Sequence, residues 1–300
     1  MSRPRFSVII PSFNRPKLLR RALRSVLDQS FSDFEIIVVD DGSDPPLDKL
    51  LGNLGDEGRV RYLRQENLGP TEARKAGISA AKGLYVCCLD DDDEFLPHHL
   101  ATLYESLKRP EMAGCLVKTG IIRREAGGRE SRYKLYDNQG SVLEQHWVQG
   151  DSLLSYAIPR ELALAEPPSH LHAEDFNWIG RLMLRVPTWQ IPAYTVVYHW
   201  HAQNRTASNP DKGVLRDRML AVDDLYHAPG MRSRIPRDLY LRNMAHQGLH
   251  WTRQCLRDRA YLLAFWGFRQ SVSYFTWSAA HDFAYTVVVA LRSVFVSERK

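Results

Sequence analysis

Cysteine is scarce in this sequence and offers no paired pattern. The four cysteines include no C-x-x-C pair, so no disulfide or metal framework is indicated. Cys87 and Cys88 are adjacent, and neighbouring side chains of a strand point to opposite faces of a sheet, so the two thiols cannot easily bridge each other. A reducing, cytoplasmic setting is therefore the simplest expectation.

Signals for membrane insertion and for common phosphate-binding loops are missing as well. No uncharged apolar window of about 18 residues occurs, so we expect no membrane-spanning helix, and the N-terminal region shows no signal-peptide core. Neither G-x-G-x-x-G nor G-x-x-x-x-G-K-[ST] follows a predicted strand. A Rossmann dehydrogenase and a P-loop NTPase are therefore disfavoured.

The composition is that of a globular protein with an uneven distribution of charge. The 300 residues are 44% hydrophobic and 25% charged, which is enough apolar material for a large core. The net charge is +5, but residues 231–300 carry 11 Lys or Arg against 4 Asp or Glu. The basic character belongs to the C-terminal region, and no nucleic-acid recognition motif accompanies it, so nucleic-acid binding is not expected.

Alternating apolar runs and amphipathic stretches predict βαβ units in the first hundred residues. Strands are predicted to start near residues 6, 34, 60 and 84, which favours a parallel sheet covered by helices on both faces. Right-handed crossovers place the loops that follow such strands along one edge. Asn14, Asp40, Asp41 and the acids 90–93 all follow strands, so we expect them to gather where ligands bind in open α/β sheets.

The acidic run is the most unusual stretch of the chain. Apolar residues 84–89 predict a strand buried on both faces, and the five acids 90–94 follow it directly. Neighbouring carboxylates repel one another more strongly as their site becomes drier. A divalent cation relieves that repulsion, because hard cations take oxygen ligands. From this stretch alone, a solvated acidic loop is an equal alternative.

Six motifs occur along the chain in a recognisable order. They are FSVIIPSFNRP, FEIIVVDDGS, ENLGPTEARKAG, GLYVCCLDDDDEFLP, AEDFNWIGRL and VVYHWHAQNRTAS. Together they resemble the family 2 glycosyltransferases of the GT-A fold, over roughly residues 5–208. The resemblance implies an α/β catalytic domain over 1–208, with a GT-A, Rossmann-like, mainly parallel sheet flanked by helices. A mostly α-helical C-terminal region over 209–300 would follow it.

The resemblance implies a nucleotide site beside the first two strands. Pro11, Phe13 and Asn14 match the family's P-x-(Y/F)-N stretch next to the nucleotide base. Asp41 matches the acid that accepts a hydrogen bond from the base, usually uracil. The alternative for Asp41 is a turn carboxylate before Gly42.

The third motif implies one more residue beside the nucleotide base. Arg74 matches the arginine of the family's A-R-N motif, which supports Asp41 and the base. Lys75 stands where the family has Asn, so this chain departs from the pattern at that contact. A plain surface charge is the alternative for Arg74.

The resemblance also implies a metal site in the acidic run. In the family's L-D-x-D-D pattern, Asp92 corresponds to the direct ligand of Mn²⁺ or Mg²⁺, which bridges the two phosphates of a nucleotide-sugar. Asp90 and Asp91 would lie near the ribose or around the metal ligands. His201 stands where many members carry a histidine after the last strand, and is implied as a further metal or phosphate ligand. A hydrogen-bonded structural histidine is the alternative.

The pair Glu174–Asp175 matches the family's E-D motif, and the resemblance implies that Glu174 belongs to the nucleotide-sugar site. Asp175 is implied as the general base that takes the proton of the acceptor hydroxyl. One base without a second carboxylate nucleophile implies single displacement with inversion. The alternative is an acid at a helix start, where the helix dipole favours negative charge.

Residues 231–300 lie outside the resemblance and are rich in aromatic residues as well as basic ones. Such a region can cap the catalytic domain, or pack on a second subunit as a homodimer contact. It can also lie on an anionic surface as a peripheral contact with the inner membrane face. If this region contacts a membrane, we expect a lipid-linked acceptor. If it does not, we expect a soluble glycan acceptor.

Two functions are therefore weighed. The first is an inverting, metal-dependent glycosyltransferase that moves a sugar from a nucleotide-sugar, most often a UDP-sugar, to a hydroxyl acceptor in bacterial-type cell-surface polysaccharide or glycoconjugate synthesis. The second is a catalytically silent module of the same fold that binds nucleotide or glycan. The presence of Asp41, Asp92 and Asp175 favours the enzyme.

Overall fold

The computed structural model describes residues 3–48, 58–149, 152–169, 174–201, 212–275 and 279–295. Nine strands fall within these ranges and form one sheet. They are β1 (Phe6–Ser12), β2 (Phe34–Asp40), β3 (Val60–Arg64), β4 (Tyr85–Cys88), β5 (Glu94–Phe95), β6 (Leu116–Glu125), β7 (Glu130–Arg132), β8 (Tyr156–Pro159) and β9 (Thr188–Trp200).

Ten α-helices are described along the same ranges, and the last four follow the final strand. They are α1 (Pro16–Leu27), α2 (Pro70–Ala80), α3 (His99–Leu107), α4 (Val142–Gln149), α5 (Arg160–Ala165), α6 (Glu174–Met183), α7 (Lys212–His227), α8 (Arg237–Arg257), α9 (Tyr261–Val272) and α10 (Ala280–Phe295). Proline occupies the first turn of α1 and of α2, a position that needs no backbone donor.

The sheet is parallel in its first half and mixed in its second. The strand order is β3-β2-β1-β4-β8-β6-β9-β5, with β7 paired to β6. The strands β1 to β4 are mutually parallel, as the βαβ pattern predicts. β8 then runs antiparallel to both β4 and β6, while β6 and β9 are parallel. A strand from late in the sequence thus lies beside β4, where the acidic run begins.

The carboxyl ends of β1, β2 and β4 meet at one edge of the sheet, as predicted. Ser12 at the end of β1 is paired with Asp40 at the end of β2. The N–H of Asp41 continues the ladder to the carbonyl of Ser12 over 2.9 Å, and that of Leu89 to the carbonyl of Ile9 over 3.0 Å. Loops that follow these strands therefore share one edge.

Each strand of the first half sends alternate side chains into two separate cores. In β1, Val8 and Ile10 belong to the core on one face, while Ile9 belongs to the core on the other. Cys87 and Cys88 divide in the same way, are buried and carry free thiols. This period of two follows from the pleat of a strand. It explains why these strands are apolar without interruption.

The C-terminal helices complete one of these cores. Leu225 of α7 is fully buried in the cluster that contains Ile179 of α6. The two helices approach so closely that a Cβ on Gly180 would lie 2.5 Å from Leu225 Cδ2. Trp147 Nε1 of α4 donates to the carbonyl of Leu239 in α8 over 3.0 Å. Helices α7 and α8 are thus packed on the catalytic core.

Helices α9 and α10 pack in turn on α8. Trp251 of α8 meets Trp266 of α9 edge-on, with 5.7 Å between ring centroids. Arg253 of α8 donates to the hydroxyl of Thr286 in α10 over 2.8 Å. Among the helices described, none has the length and apolar character needed to cross a membrane.

Candidate active site

An acidic cluster lies at the carboxyl end of β4. The N–H of Asp93 donates to the carbonyl of Asp90 over 3.1 Å, which closes a turn around residues 91 and 92. This turn gathers side-chain oxygens of Asp90, Asp92 and Asp93 within 4.8 Å of one another. Asp92 and Asp93 are buried and Asp90 is half-buried. Ionised carboxylates this close together repel one another strongly when water is partly excluded.

The pKa values of three acids in the run are raised, as expected for crowded, buried carboxyl groups. Burial raises the pKa of Asp91 to about 6, against the opposing effect of its hydrogen-bond partners. Burial, and then the charge of Asp90, raise the pKa of Asp92. The pKa of Asp93 is raised well above its ordinary value by burial first and by the two neighbouring acids next. The cluster therefore favours protons, or another cation, more than solvated acids do.

Two arginines that the sequence did not single out reach the acidic run. Arg15 Nη1 lies 3.2 Å from Asp91 Oδ1 and 3.2 Å from Asp92 Oδ2. Arg21 of α1 donates to the backbone carbonyl of Asp92. Ser12 Oγ donates to Asp91 Oδ2 over 2.7 Å. The loop after β1 and the start of α1 thus hold the acidic turn in place. The sequence feature that could have indicated Arg15 is its position directly after the P-x-F-N stretch.

Two histidines at the end of β9 close the cluster from the other side. His201 Nε2 lies 3.2 Å from Asp92 Oδ2. The N–H of His199 donates to Asp93 Oδ1 over 2.8 Å, and its ring Nε2 lies 2.6 Å from Glu94 Oε1. His201 therefore contacts the acid that the resemblance assigns to the metal, and it does so through a ring nitrogen.

Asp93 was not among the metal ligands predicted from the sequence. Its Oδ2 is buried and has no hydrogen-bond partner among the described groups. A buried carboxylate oxygen without a donor is costly. The residues present fit a hard divalent cation, because Asp90, Asp92 and Asp93 offer oxygens of the preferred kind at close range. Both oxygens of Asp91 already accept hydrogen bonds, Oδ2 from Ser12 and Oδ1 from Arg15.

Asp41 is held at the edge by the loop that precedes α2. Its Oδ1 accepts from Gln65 Nε2 over 2.7 Å and from the N–H of Leu68 over 2.9 Å, and its Oδ2 accepts from the N–H of Gly69 over 2.9 Å. Gly69 has φ 90°, a region that favours glycine. An ionised carboxylate offers about four acceptor sites, so Asp41 keeps room for one more donor.

The stretch that follows β1 joins two loops of the edge. Asn14 has φ 55°, and its N–H donates to Ser43 Oγ over 2.9 Å. Its Oδ1 accepts from the N–H of Asp44, also over 2.9 Å. Pro11 is buried in β1, whereas the ring of Phe13 is 41% exposed. Asn14 thus fastens the two loops, and Phe13 presents an aromatic surface to solvent.

Arg74 lies in α2 and reaches the acidic cluster. Its side chain is buried, and Nη2 lies 2.5 Å from Asp90 Oδ1. The neighbouring Lys75 pairs with Glu72 on the helix surface over 2.6 Å. Arg74 is therefore not a plain surface charge, and it ties the third motif to the first acid of the run.

Asp175 is tied to the segment that leads into β8. Its Oδ2 accepts from the N–H of Leu153 over 3.2 Å, at the start of a 3₁₀ turn (Leu153–Ser155) that leads into β8. β8 pairs antiparallel with β4, with Val86 opposite Ile158. The 3₁₀ turn lies beside β4, the strand that leads into the acidic run. Asp175 is thus held by a turn next to β4, and it is half-buried.

Two parts of the predicted site lie outside the described residues. The structure describes the backbone of Glu174 in α6 but not its side chain. Residues 202–208 of the last motif are also outside the description. Asp175 of the E-D motif and His201 of the last motif are both within the described residues.

Comparisons with known proteins identify the family of this chain. The sequence model for Glycosyl transferase family 2 matches residues 7–159, just over half of the chain. A GalNAc(5)-diNAcBac-PP-undecaprenol beta-1,3-glucosyltransferase of Campylobacter jejuni is 38% identical over 133 residues, 42% of this chain and 43% of that protein. The succinoglycan biosynthesis protein ExoW of Rhizobium meliloti is 40% identical over 110 residues, 35% of this chain and 34% of ExoW. The chain thus spans less than half the length of these two curated relatives.

A solved structure shares the fold over most of the chain. The crystal structure of S. aureus TarS 1–349 in complex with UDP-GlcNAc superposes with a TM-score of 0.64, covering 90% of this chain and 89% of that one. Its sequence identity is 14%, so the likeness speaks for the fold alone. The predicted GT-A α/β fold with C-terminal helices is confirmed.

Fold and site together define a class of α/β proteins with an acid-lined ligand edge at the carboxyl ends of parallel strands. The family match across half of the sequence makes the assignment specific. The chain belongs to Glycosyl transferase family 2.

Proposed function

We propose that this protein is an inverting glycosyltransferase that moves a sugar from a nucleotide-diphosphate sugar to a hydroxyl acceptor. One observation carries the proposal: Asp90, Asp92 and Asp93 bring carboxylate oxygens within 4.8 Å of one another at the carboxyl end of β4. A nucleotide-sugar brings a diphosphate to such an edge only if positive charge accompanies it. The arginines beside the cluster and a divalent cation supply that charge.

The donor we propose is a UDP-sugar. Asp41 has three internal donors and room for one more, which suits the single N–H that a uracil ring offers. The exposed ring of Phe13 offers a flat apolar surface next to that carboxylate's loop. The complex of S. aureus TarS with UDP-GlcNAc gives further support from a protein of the same fold.

A Mn²⁺ or Mg²⁺ ion would be held by Asp90, Asp92 and Asp93, with His201 beside Asp92. When bound, such an ion stabilises the negative charge that develops on a departing diphosphate. Arg15 contributes a fixed positive charge 3.2 Å from Asp92 Oδ2, and Arg74 does so at Asp90.

Asp175 is the proposed general base. It stands at the start of α6, half-buried, with Oδ2 fixed by the N–H of Leu153. The carboxylate would take the proton of an acceptor hydroxyl as that hydroxyl oxygen attacks the anomeric carbon. The bond between that carbon and the diphosphate breaks as the new bond forms on the opposite face, so the configuration inverts. Proton transfer of this kind contributes roughly 10²–10⁴-fold.

The acceptor we propose is a glycan or lipid-linked glycan of bacterial cell-surface polysaccharide or glycoconjugate synthesis. The Campylobacter jejuni relative is named for an undecaprenol-linked substrate, and ExoW for succinoglycan. We further propose a cytoplasmic location with the C-terminal helices against the anionic inner membrane face. Leu262 and Phe265 of α9 are 89% and 71% exposed, and Arg269 follows on the same helix face.

The test is donor binding and turnover with a panel of UDP-, GDP- and dTDP-sugars in the presence of Mn²⁺ or Mg²⁺. Thermal stabilisation and release of nucleoside diphosphate are recorded together. We expect one UDP-sugar to stabilise the protein, and chelator or Asp92→Ala to remove the effect. A matched Asp33→Ala variant, which changes an exposed acid outside the site, should respond like the wild type. Stabilisation without turnover on any acceptor would favour a silent binding module, and no response to any donor would refute the proposal.

A further inference from the structure

Arg15 lies between the loop after β1 and the acidic run, where it contacts two acids at once. Its Nη1 is 3.2 Å from Asp91 Oδ1 and 3.2 Å from Asp92 Oδ2. Asp91 is also held by Ser12, whose Oγ donates to Oδ2 over 2.7 Å. Asp92 is one of the three acids proposed to hold the metal ion. The guanidinium group of Arg15 and the ion would therefore share one carboxylate.

Two arginines contact acids of the proposed ion site, and they differ in exposure. The side chain of Arg74, which pairs with Asp90, is only 4% exposed. The side chain of Arg15 is 35% exposed, and this residue is the N-cap of α1. Arg74 is thus enclosed by protein, whereas Arg15 stands at the border between the acidic run and solvent.

The charge of the site balances that of a divalent cation when Arg15 is counted. In the fully ionised form, which a bound cation favours, residues 90–93 carry four negative charges. Contacts with Arg15 and Arg74 leave a net charge of −2, and Arg21 pairs with Glu94 over 3.3 Å, which adds none. A divalent cation therefore neutralises the site in the presence of Arg15 and leaves it negative when Arg15 is removed.

The charge of Arg15 acts in opposite directions on the two ligands of the site. A guanidinium group and a divalent cation repel each other, so Arg15 weakens the binding of the ion alone. A diphosphate is repelled by a site that stays negative, so the same guanidinium group strengthens the binding of the donor once the ion is present. Both effects are larger at a partly buried site than in water, because the effective dielectric constant is lower there.

We propose that Arg15 couples the binding of the metal ion to the binding of the nucleotide-sugar. This inference rests on the proposed transferase function and adds a means of regulation to the same site. Without donor, Arg15 competes with the ion for Asp92, and the site holds the ion weakly. With donor, the diphosphate balances the charges of both cations, and the ion is held tightly. Ion and donor then raise each other's affinity by the same factor.

The competing interpretation is that Arg15 only holds the acidic turn in place. Arg21 and Ser12 also hold this turn, through the carbonyl of Asp92 and the carboxylate of Asp91. A purely structural role predicts that the loss of Arg15 weakens the binding of the ion, because the ligands become less ordered. The coupling role predicts tighter binding of the ion alone, so the direction of the change decides between the two.

The experiment measures the binding of Mn²⁺ to the full chain by calorimetry, without UDP and with saturating UDP. The Mn²⁺ that UDP binds in solution is corrected for, and the ratio of the two dissociation constants is the coupling factor. In Arg15→Gln, we expect the dissociation constant without UDP to fall at least about threefold. The coupling factor should fall at least about tenfold.

Two further variants serve as controls. Arg15→Lys keeps the charge and should stay within about twofold of the wild type in both quantities. Arg24→Gln removes an exposed guanidinium group from the last turn of the same helix. It lies about 13 Å along the helix from Arg15, beyond the screening length of about 8–10 Å, and should bind like the wild type. Thermal unfolding in EDTA shows that each variant is folded.

Four results would overturn the inference. Two concern Arg15→Gln itself: binding of Mn²⁺ without UDP that is no tighter than in the wild type, or an unchanged coupling factor. The third is that Arg15→Lys behaves like Arg15→Gln, because the charge is then not the cause. The fourth is the same change in Arg24→Gln, because the effect is then not local to the site.

Failure of this inference can be told apart from failure of the proposed function. If a UDP-sugar is turned over and Arg15→Gln keeps the coupling factor of the wild type, the transferase stands and the inference fails. If the nucleotide-sugar panel gives no response while Arg15→Gln binds Mn²⁺ more tightly, the transferase assignment is refuted. Arg15 then remains a competitor of the ion at Asp92.

Discussion

The backbone N–H of His199 donates to Asp93 Oδ1 over 2.8 Å, across a separation of 106 residues. This bond joins the end of the acidic run to the last strand of the sheet. The other oxygen of the same carboxylate is buried and has no hydrogen-bond partner among the described groups. Asp93 is therefore positioned by one oxygen and left with the other available to a cation.

Replacing Asp93 by Asn should abolish most of the metal response without harming the fold. The change removes a ligand oxygen but keeps the acceptor for His199. We expect the affinity for Mn²⁺ to fall by at least about tenfold, and the free energy of unfolding in EDTA to change by less than about 1 kcal/mol. Thermal unfolding with and without Mn²⁺ measures both quantities.

The control for this experiment is Asp33→Asn, which removes the charge of an exposed acid. It should keep the full stabilisation by Mn²⁺. An Asp93→Asn protein that also keeps it would show that the acid is structural and that the ion, if bound, is held by other residues.

Replacing Asp175 by Asn should separate turnover from donor binding. The amide cannot take a proton but can still accept the hydrogen bond from Leu153. Turnover should fall by roughly 10²–10⁴-fold, while the dissociation constant for the nucleotide-sugar changes less than about twofold. Release of nucleoside diphosphate and calorimetry of donor binding give the two numbers.

Glu144→Gln, on the exposed surface of α4, serves as the matched control and should leave turnover unchanged. Turnover within about threefold of the wild type in Asp175→Asn would identify another group as the base.

Glu35 should make the stability of the sheet dependent on pH. Burial raises its pKa, but hydrogen bonds from Ser7 Oγ, the N–H of Lys82 and Arg61 outweigh it, so that the pKa is lowered overall. An acid with a lowered folded-state pKa stabilises the fold above its ordinary pKa, near 4.5. That stabilisation is lost as the pH falls through the lower folded-state value.

We therefore expect Glu35→Gln to lower the free energy of unfolding by about 2 kcal/mol at pH 7. The difference from the wild type should shrink steadily below pH 4.5. Urea unfolding at several pH values, in EDTA, measures the curve. If the difference does not vary with pH, the charge of Glu35 contributes nothing to the free energy of unfolding.

The packing of α7 on the catalytic core is tested by two leucines of the same helix. Leu225 is fully buried, whereas Leu220 is 51% exposed. Leu225→Ala should lower the free energy of unfolding by about 2–5 kcal/mol because it leaves a cavity against Gly180. Leu220→Ala should cost less than about 1 kcal/mol. Equal, small effects would mean that the helix is not packed on the core in solution.

Membrane contact through α9 is tested by sedimentation with vesicles that contain anionic lipid. Leu262→Ser with Phe265→Ser should reduce the bound fraction by at least about fivefold, because it removes the exposed apolar surface. Leu68→Ser, at a residue of comparable exposure in the catalytic domain, should bind like the wild type. A concentration-dependent dimer that this pair of changes disrupts, without vesicle binding, would assign the face to a second copy of the chain.

Much of the acid-lined edge could be predicted from the sequence. The strands β1, β2 and β4 are short, apolar and followed by polar residues, and right-handed crossovers bring their carboxyl ends to one side. Asp41 and Asp90 to Asp92 therefore had to share an edge once the parallel order was accepted. The motif order was enough to identify the family.

The roles within the acidic run could not be predicted in the same way. Consecutive residues in a turn point in different directions, and the turn between Asp90 and Asp93 brings together three of its acids while Asp91 faces Arg15. Because the four residues are identical, the sequence does not show which of their side chains point into the acidic cluster. Arg21 was missed for a similar reason, since helix spacing alone does not show that a charged residue meets a distant turn.

The sequence by itself determined the sheet, its edge and the family, because these depend on local hydrophobic period and on the order of the motifs. Only the tertiary structure decided which side chains meet. The position of β8 beside β4 links Asp175, through the N–H of Leu153, to the strand that leads into the acidic run, and α7 packs on the core through Leu225. Such contacts join residues far apart in the chain. Their free energy depends on the shape and burial of both partners together.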